Sequence, residues 1–151
     1  MLREKLSEEL KVAMRARNQP VVGTIRMVMA GIKDRDIAAR PKGNATGVDD
    51  GEILNLLRSM IKQRQESIEL YRQGGRQELA DKEAAEILVI EGFMPRQMSD
   101  DETKAAVEAV IEAIAATSVK DMGKVMAELR LRHAGVMDFG KASPMVKLLL
   151  N

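Results

Sequence analysis

A helical pattern interrupted by two adjacent glycines constrains the fold of this chain more than any other feature. Between Glu52 and Pro95, apolar residues recur at spacings of three and four, which places them on one stripe of a helix. Gly74 and Gly75 interrupt the pattern near its middle, and glycine is the residue that best accepts the left-handed conformation at a helix C-terminus. Because the loop is so short, we expect two antiparallel neighbouring helices, a central hairpin over residues 52–93.

The helical periodicity continues on both sides of this hairpin, and no segment shows the pattern of a strand. Aromatic residues make up only 2% of the chain and 11 methionines are present, a composition that suits helices better than a β-sandwich. Breaks at Pro20, at residues 40–47 and near Pro95 divide the pattern. The prediction is an all-α fold: a four-helix N-terminal subdomain, residues 1–95, followed by a small three-helix C-terminal subdomain, residues 98–151.

Local signals predict where several helices begin. Pro20 is tolerated in the first turn of a helix, and Asp49 or Asp50 supplies a carboxylate cap for the first helix of the hairpin. Ser99 followed by Glu102 has the spacing of a capping box. Near the end of the chain, a cap residue directly before a proline predicts a short last helix. That pair is Ser143 and Pro144, and the helix is expected from Met145 to Leu150.

The residue types that carry most enzyme chemistry are scarce. The chain has no cysteine and one histidine, His133, which excludes disulfides, thiolate metal sites and a cysteine nucleophile and argues against a histidine metal cluster. No glycine-rich loop ends in Gly-Lys-Ser/Thr, and the carboxylates lie on helix faces beside Lys or Arg. We therefore expect a non-catalytic chain without cofactor or metal. The charged N-terminus and the lack of a long apolar run predict a cytoplasmic location without membrane contact.

Positive charge is concentrated in two segments, although the net charge is only +1. Residues 1–42 contain ten Lys or Arg against five Asp or Glu, and residues 118–151 contain six against three. Such residues can neutralise a phosphate backbone, and solvated helix surface is the alternative interpretation. The candidate phosphate contacts are Lys120, Lys124, Arg130, Arg132, Lys141 and Lys147, with Arg64 and Arg76 of the hairpin as a secondary set.

Several runs of residues resemble the GatB/YqeY family, over essentially the whole chain. They are Ala13-Met14, Thr24 to Met27, Met60 to Tyr71, Gly75 to Ala80, Glu83 to Glu86 and Asp121 to Met126. The similarity is to the stand-alone members of that family. The segment Gly135 to Gly140 departs from the family pattern, because it is one residue longer and lacks an arginine.

The resemblance implies a two-part all-helical fold like the tail of the GatB subunit of the glutamine-dependent aminoacyl-tRNA amidotransferase, which helps to hold the tRNA body. It also implies that the phosphorylation and transamidation chemistry of that enzyme belongs to a separate domain, whose residues we do not expect here. The function it implies is a tRNA-binding or tRNA-metabolism accessory module, whose partner is tRNA or a tRNA-handling enzyme. Two alternatives stay open. One is carbon–nitrogen ligase activity with glutamine as amido-N-donor, and the other is a protein–protein adaptor that uses exposed Met and Leu side chains.

Overall fold

A computed structural model describes residues 1 to 151, which form seven α-helices and no strand, so the predicted all-α class is confirmed. The helices are α1 (Leu2–Arg15), α2 (Gln19–Ala39), α3 (Asp50–Gln73), α4 (Gln77–Glu91), α5 (Asp100–Ala113), α6 (Met122–Arg132) and α7 (Phe139–Leu150). Two short 3-10 turns, Arg40–Lys42 and Val119–Asp121, follow α2 and precede α6.

The chain divides into two compact units, Met1–Met94 and Pro95–Asn151, and each has its own apolar core. In the N-terminal unit, the side chains with almost no exposed surface include Leu6, Ile25, Val28, Ile53, Leu57 and Ile90. In the C-terminal unit they include Val107, Val110, Val125, Leu129, Met137 and Val146. Within α2, α3, α5 and α6 these side chains are spaced by three or four, as the periodicity predicts.

The α3–α4 hairpin is the most extensive helix pair of the chain. Near the turn, Ile68 of α3 packs with Ala80 and Ile87 of α4 in a small separate cluster. Gly74 caps α3, and Gly75 adopts φ 70°. The backbone N–H groups of Gly75 and Arg76 donate back to carbonyls of the last turn. This is a Schellman ending, so the predicted glycine stop is confirmed.

We predict that Gly75→Ala lowers the free energy of unfolding by about 1 kcal/mol, because an L-residue is disfavoured by that order in the left-handed region. The added Cβ would meet no atom within 4 Å, so the cost is conformational. Gly23→Ala is the matched control, since Gly23 lies inside α2 and is equally open. That change should raise the free energy of unfolding by about 0.5–1 kcal/mol. Urea titrations would contradict the prediction if both variants moved in the same direction.

The other predicted caps in the first two-thirds of the chain are confirmed. Pro20 lies in the first turn of α2, and the Asp49 side chain accepts from the backbone N–H of Glu52 at 2.9 Å. Ser99 and Glu102 form both hydrogen bonds of a capping box at the start of α5. These caps satisfy amide groups that have no partner within their own helix.

The predicted start of the last helix is wrong. α7 begins at Phe139, and Asp138 caps it, because its carboxylate accepts from two backbone amides of the first turn at 2.9 and 3.4 Å. Pro144 therefore lies inside the helix. The carboxylate of Asp138 accepts from two amides that have no partner within the helix, so it is a stronger cap than the hydroxyl of Ser143. The cost of Pro144 inside the helix is one missing backbone hydrogen bond, to the carbonyl of Gly140.

An ion pair between Arg3 of α1 and Asp36 of α2 also holds Val48, at the end of the loop before α3, by hydrogen bonds. Arg3 donates to both carboxylate oxygens of Asp36, at 2.9 and 2.7 Å, and to the carbonyl of Val48 at 2.8 Å. The backbone N–H of Val48 donates to the same carboxylate at 2.8 Å. The hydrogen bonds from Arg3, followed by that from Val48, lower the pKa of Asp36 to about 2. This anchor restrains the segment between α2 and α3, which has little apolar surface to bury.

The ion pair makes stability depend on pH at the acid end. Because the pKa of Asp36 in the folded chain lies below its ordinary value of 3.8, the carboxylate stabilises the fold above about pH 4, and this stabilisation is lost as pH falls towards about 2. Asp36→Asn removes the titration. Its unfolding free energy should therefore vary less across this window than that of the wild type. Asp34→Asn, an exposed neighbour on α2, is the control. Parallel pH curves for wild type and Asp36→Asn in denaturant titrations would contradict the prediction.

Candidate nucleic-acid interface

The six candidate cations of the C-terminal unit are exposed at its surface. One lies in the 3-10 turn before α6, three on α6 and two on α7, in the order Lys120, Lys124, Arg130, Arg132, Lys141 and Lys147. Each can therefore be reached by a large ligand. They differ in whether another side chain of the protein already neutralises them.

Two of the six are in ion pairs. Arg132 donates to Glu128, one turn earlier on α6, at 2.7 Å. The Nζ atom of Lys141 lies 3.5 Å from a carboxylate oxygen of Asp100. Both pairs are largely exposed, and such pairs contribute about 0–1 kcal/mol. They reduce the local positive charge without holding the side chains firmly.

The other four have no carboxylate partner. Lys120, Lys124 and Lys147 take part in no ion pair. The Arg130 guanidinium lies 5.7 Å from the centroid of the Phe139 ring, a cation–π contact that positions the group without neutralising it. These four side chains, which we name the free C-terminal cations, are the candidates in the C-terminal unit that have no carboxylate partner.

Helix geometry spreads the candidates over the surface. At about 100° per residue, Lys124 and Arg130 project about 120° apart around α6. Lys141 and Lys147, also six residues apart, differ by the same angle around α7. The structure therefore does not gather the six into one row on either helix.

Arg64 occupies a different environment from the other candidates. Only 11% of its side chain is exposed, and its Nε donates to Glu86 of α4 at 2.8 Å, with Glu83 at 3.9 Å. Another guanidinium nitrogen donates to the carbonyl of Met60 at 3.2 Å. The group thus joins the two helices of the hairpin, and its hydrogen-bonding capacity is largely used within the fold.

Arg76 is exposed, just before α4, and donates to Glu78 at 2.7 Å. An exposed pair of this kind opens at low cost. Of the secondary set, Arg76 therefore stays accessible to an external anion, and Arg64 is the less accessible one.

We predict that Arg64→Met lowers the free energy of unfolding by about 2–3 kcal/mol. The reason is that the carboxylate of Glu86 then stays largely buried without its cation. The double variant Arg64→Met/Glu86→Leu should regain most of this loss, since the less exposed of the two carboxylates beside Arg64 is then no longer left unpaired. Arg76→Met is the control and should change the value by less than about 1 kcal/mol. Denaturant titrations in which Arg64→Met and Arg76→Met cost the same would contradict this.

The lowered carboxyl pKa values of the C-terminal unit have local, structural causes. The hydrogen bond from Arg96, followed by that from the Ser99 backbone, lowers the pKa of Glu102. Backbone hydrogen bonds from Thr117 and Ser118 lower the pKa of Asp121. Both carboxylates belong to capping boxes. These shifts are explained by an exposed ion pair and by helix caps, which are structural contacts that also lower carboxyl pKa values.

A shallow groove of about 320 Å³ lies between α5 and α7. Its lining residues are Glu108, Ile111, Glu112, Ala115, Ala116, Thr117 and Leu149. Ala115 has φ 54°, in the left-handed region, and ends α5 as a glycine would. No group of three or more Asp, Glu or His side chains in the chain is arranged to hold a metal ion. The groove offers mainly aliphatic surface with two carboxylates beside it.

The candidate set omits a second group of exposed cations, along α2 and at its C-terminal end. Arg26 and Lys33 lie on α2 and Arg40 is its C-cap, at intervals of seven residues, and none of the three forms an ion pair. The signal for them was present in the excess of positive charge over residues 1–42. Their common face becomes evident only when the spacing is placed on a continuous helix from Gln19 to Ala39.

The fold and these surfaces define an all-helical protein of two small units with many charged side chains on the surface. Residues 3–150 match the family model described as Yqey-like protein. The chain therefore belongs to the Yqey-like protein family, which confirms the resemblance seen in its sequence.

Similar proteins carry the name "Altered inheritance of mitochondria protein 41, mitochondrial". The one from Pyrenophora tritici-repentis is 30% identical over 134 residues, which are 85% of this chain and 71% of that protein. The one from Lachancea thermotolerans is 29% identical over 139 residues, with coverage of 92% and 69%. The one from Eremothecium gossypii is 30% identical over 114 residues, with coverage of 74% and 60%. Those names concern mitochondria, so the cytoplasmic location of this chain stays a prediction. None of its helices has the length and apolar character needed to cross a membrane.

Proposed function

We propose that this protein is a non-catalytic helical module that binds tRNA, alone or on a tRNA-handling enzyme, through the phosphate backbone. The observation that carries the proposal is the set of free C-terminal cations, Lys120, Lys124, Arg130 and Lys147, which are exposed and form no ion pair. A free cation neutralises a phosphate without first breaking an internal pair. Each such contact releases condensed counterions, which favours binding at low salt.

The aromatic residues favour recognition of the backbone over recognition of bases. Phe93 is buried, and Lys5 lies 5.7 Å from its ring centroid. Tyr71 packs within the hairpin and Phe139 against the C-terminal core. No ring is left as a platform on which bases could stack. Double-helical RNA is read mainly by its shape, its phosphates and its 2′-hydroxyls, and this surface chemistry suits that mode.

Membership of the Yqey-like family supports the proposal through the resemblance to the tRNA-holding tail of the amidotransferase. We also propose that residues 1–95 and 98–151 are the two modules of this binder, one with the hairpin and one with the free C-terminal cations. A glutamine- and ATP-dependent amidated product formed by the purified protein would contradict the non-catalytic part.

The expected result is tRNA binding whose affinity falls linearly with salt on logarithmic axes. The triple variant Lys120→Gln/Lys124→Gln/Lys147→Gln should reduce the magnitude of that slope by about 2–3. Each lost phosphate contact removes about 0.7–0.9 from the slope. A control with the same charge change, Arg76→Gln/Arg132→Gln/Lys141→Gln, replaces paired cations and should lower the slope by less. Gel shifts over a salt series measure both. No binding by the wild type in low salt would overturn the proposal.

A further inference from the structure

The exposed face of α2 carries two cations in line, and Arg40, the C-cap residue of α2, extends the line because its backbone keeps helical angles, φ −57° and ψ −47°. Arg26, Lys33 and Arg40 are all exposed, and seven residues come within about 20° of two full turns of an α-helix. The three positions therefore lie within about 40° of one another, over about 21 Å of helix at 1.5 Å per residue. We name these three residues the α2 row. In contrast to the candidates on α6 and α7, its members point in one direction.

No carboxylate neutralises this row by an ion pair. Of the two acidic residues of α2, Asp36 is held by Arg3 and by the Val48 amide, as described above. Arg40 is close enough to be a minor contributor to the lowered pKa of Asp36, without an ion pair. Asp34 projects about 100° away from the preceding residue of the row. The three charges of the α2 row thus face solvent without an ion-pair partner.

The residues between the cations give this face only a small apolar surface. Ala30 and Ile37 occupy the same face, and both are exposed, Ile37 by 48%. A small residue at the centre lets a rigid partner approach the helix closely. Helices that lie in a membrane surface need a broad apolar face rich in Trp, Phe or Leu, which one isoleucine does not supply. The face therefore suits a polyanion in solution better than a lipid surface.

We infer that the α2 row is a second phosphate-binding surface, which lies along the sugar–phosphate backbone of double-helical RNA. The identity of the ligand rests on the proposed function, whereas the row itself lies in the N-terminal unit and is independent of the free C-terminal cations. A double helix presents phosphates in a fixed array. A rigid row about 21 Å long can bind such an array without first ordering it, as it would have to order a single strand.

The test measures tRNA affinity over a salt series for the full chain and for Arg26→Gln/Lys33→Gln/Arg40→Gln. Glutamine is a good helix former, so α2 should persist, and circular dichroism checks this. The row variant should lower the logarithmic salt slope by about 2–3. The control is Lys62→Gln/Arg72→Gln/Lys82→Gln, which removes the same charge from exposed, unpaired positions on the hairpin. It should lower the slope by less than about 1.

The outcomes separate this inference from the proposed function. If the wild type does not bind tRNA, both fall. If it binds and the row variant behaves like the control, the α2 inference falls and the proposed function stands. Binding of the same proteins to vesicles that contain anionic lipid is measured as well. If the row variant loses vesicle binding with an unchanged tRNA slope, the row binds lipid and the inference is overturned.

Discussion

The packing of α3 against α4 is the constraint on which the rest of the structure depends. The hairpin has more apolar surface than its own two helices can cover, and Ile53, Leu57 and Ile90 are completely buried only because α1 and α2 pack over them. Each such side chain stabilises the fold by about 1.5–3 kcal/mol when it leaves water. Arg64 adds a charged link between the same two helices through Glu86. The hairpin therefore organises the whole N-terminal unit.

Two groups of cations differ in how they are partnered. Arg3 and Arg64 donate most of their hydrogen bonds to carboxylates and carbonyls inside the fold, where they join segments distant in sequence. The α2 row and the free C-terminal cations have no such partners. This division is what gives a nearly neutral protein surfaces that can attract a polyanion, because local charge decides the interaction more than net charge does.

Local signals predicted the helices well and failed where a distant partner decided the outcome. The caps at Asp49 and Ser99 were predictable because cap and amide lie within three residues of each other. Ala115 adopts the left-handed ending of α5 without the glycine that would have signalled it. The role of Arg64 was also hidden, because its partner is 22 residues away, on another helix. Exposure of the C-terminal cations followed from amphipathicity, whereas their spread around α6 and α7 required the actual helix bounds.

The most direct test follows the arginine Nε–H signals of the isotope-labelled full chain by nuclear magnetic resonance while tRNA is added. The division into internal and free cations predicts that Arg26, Arg40 and Arg130 shift on binding. It also predicts that Arg3 and Arg64 keep their free-state positions, because their donors stay on Asp36 and Glu86. Shifts confined to the internal arginines, or no shift at all, would contradict it.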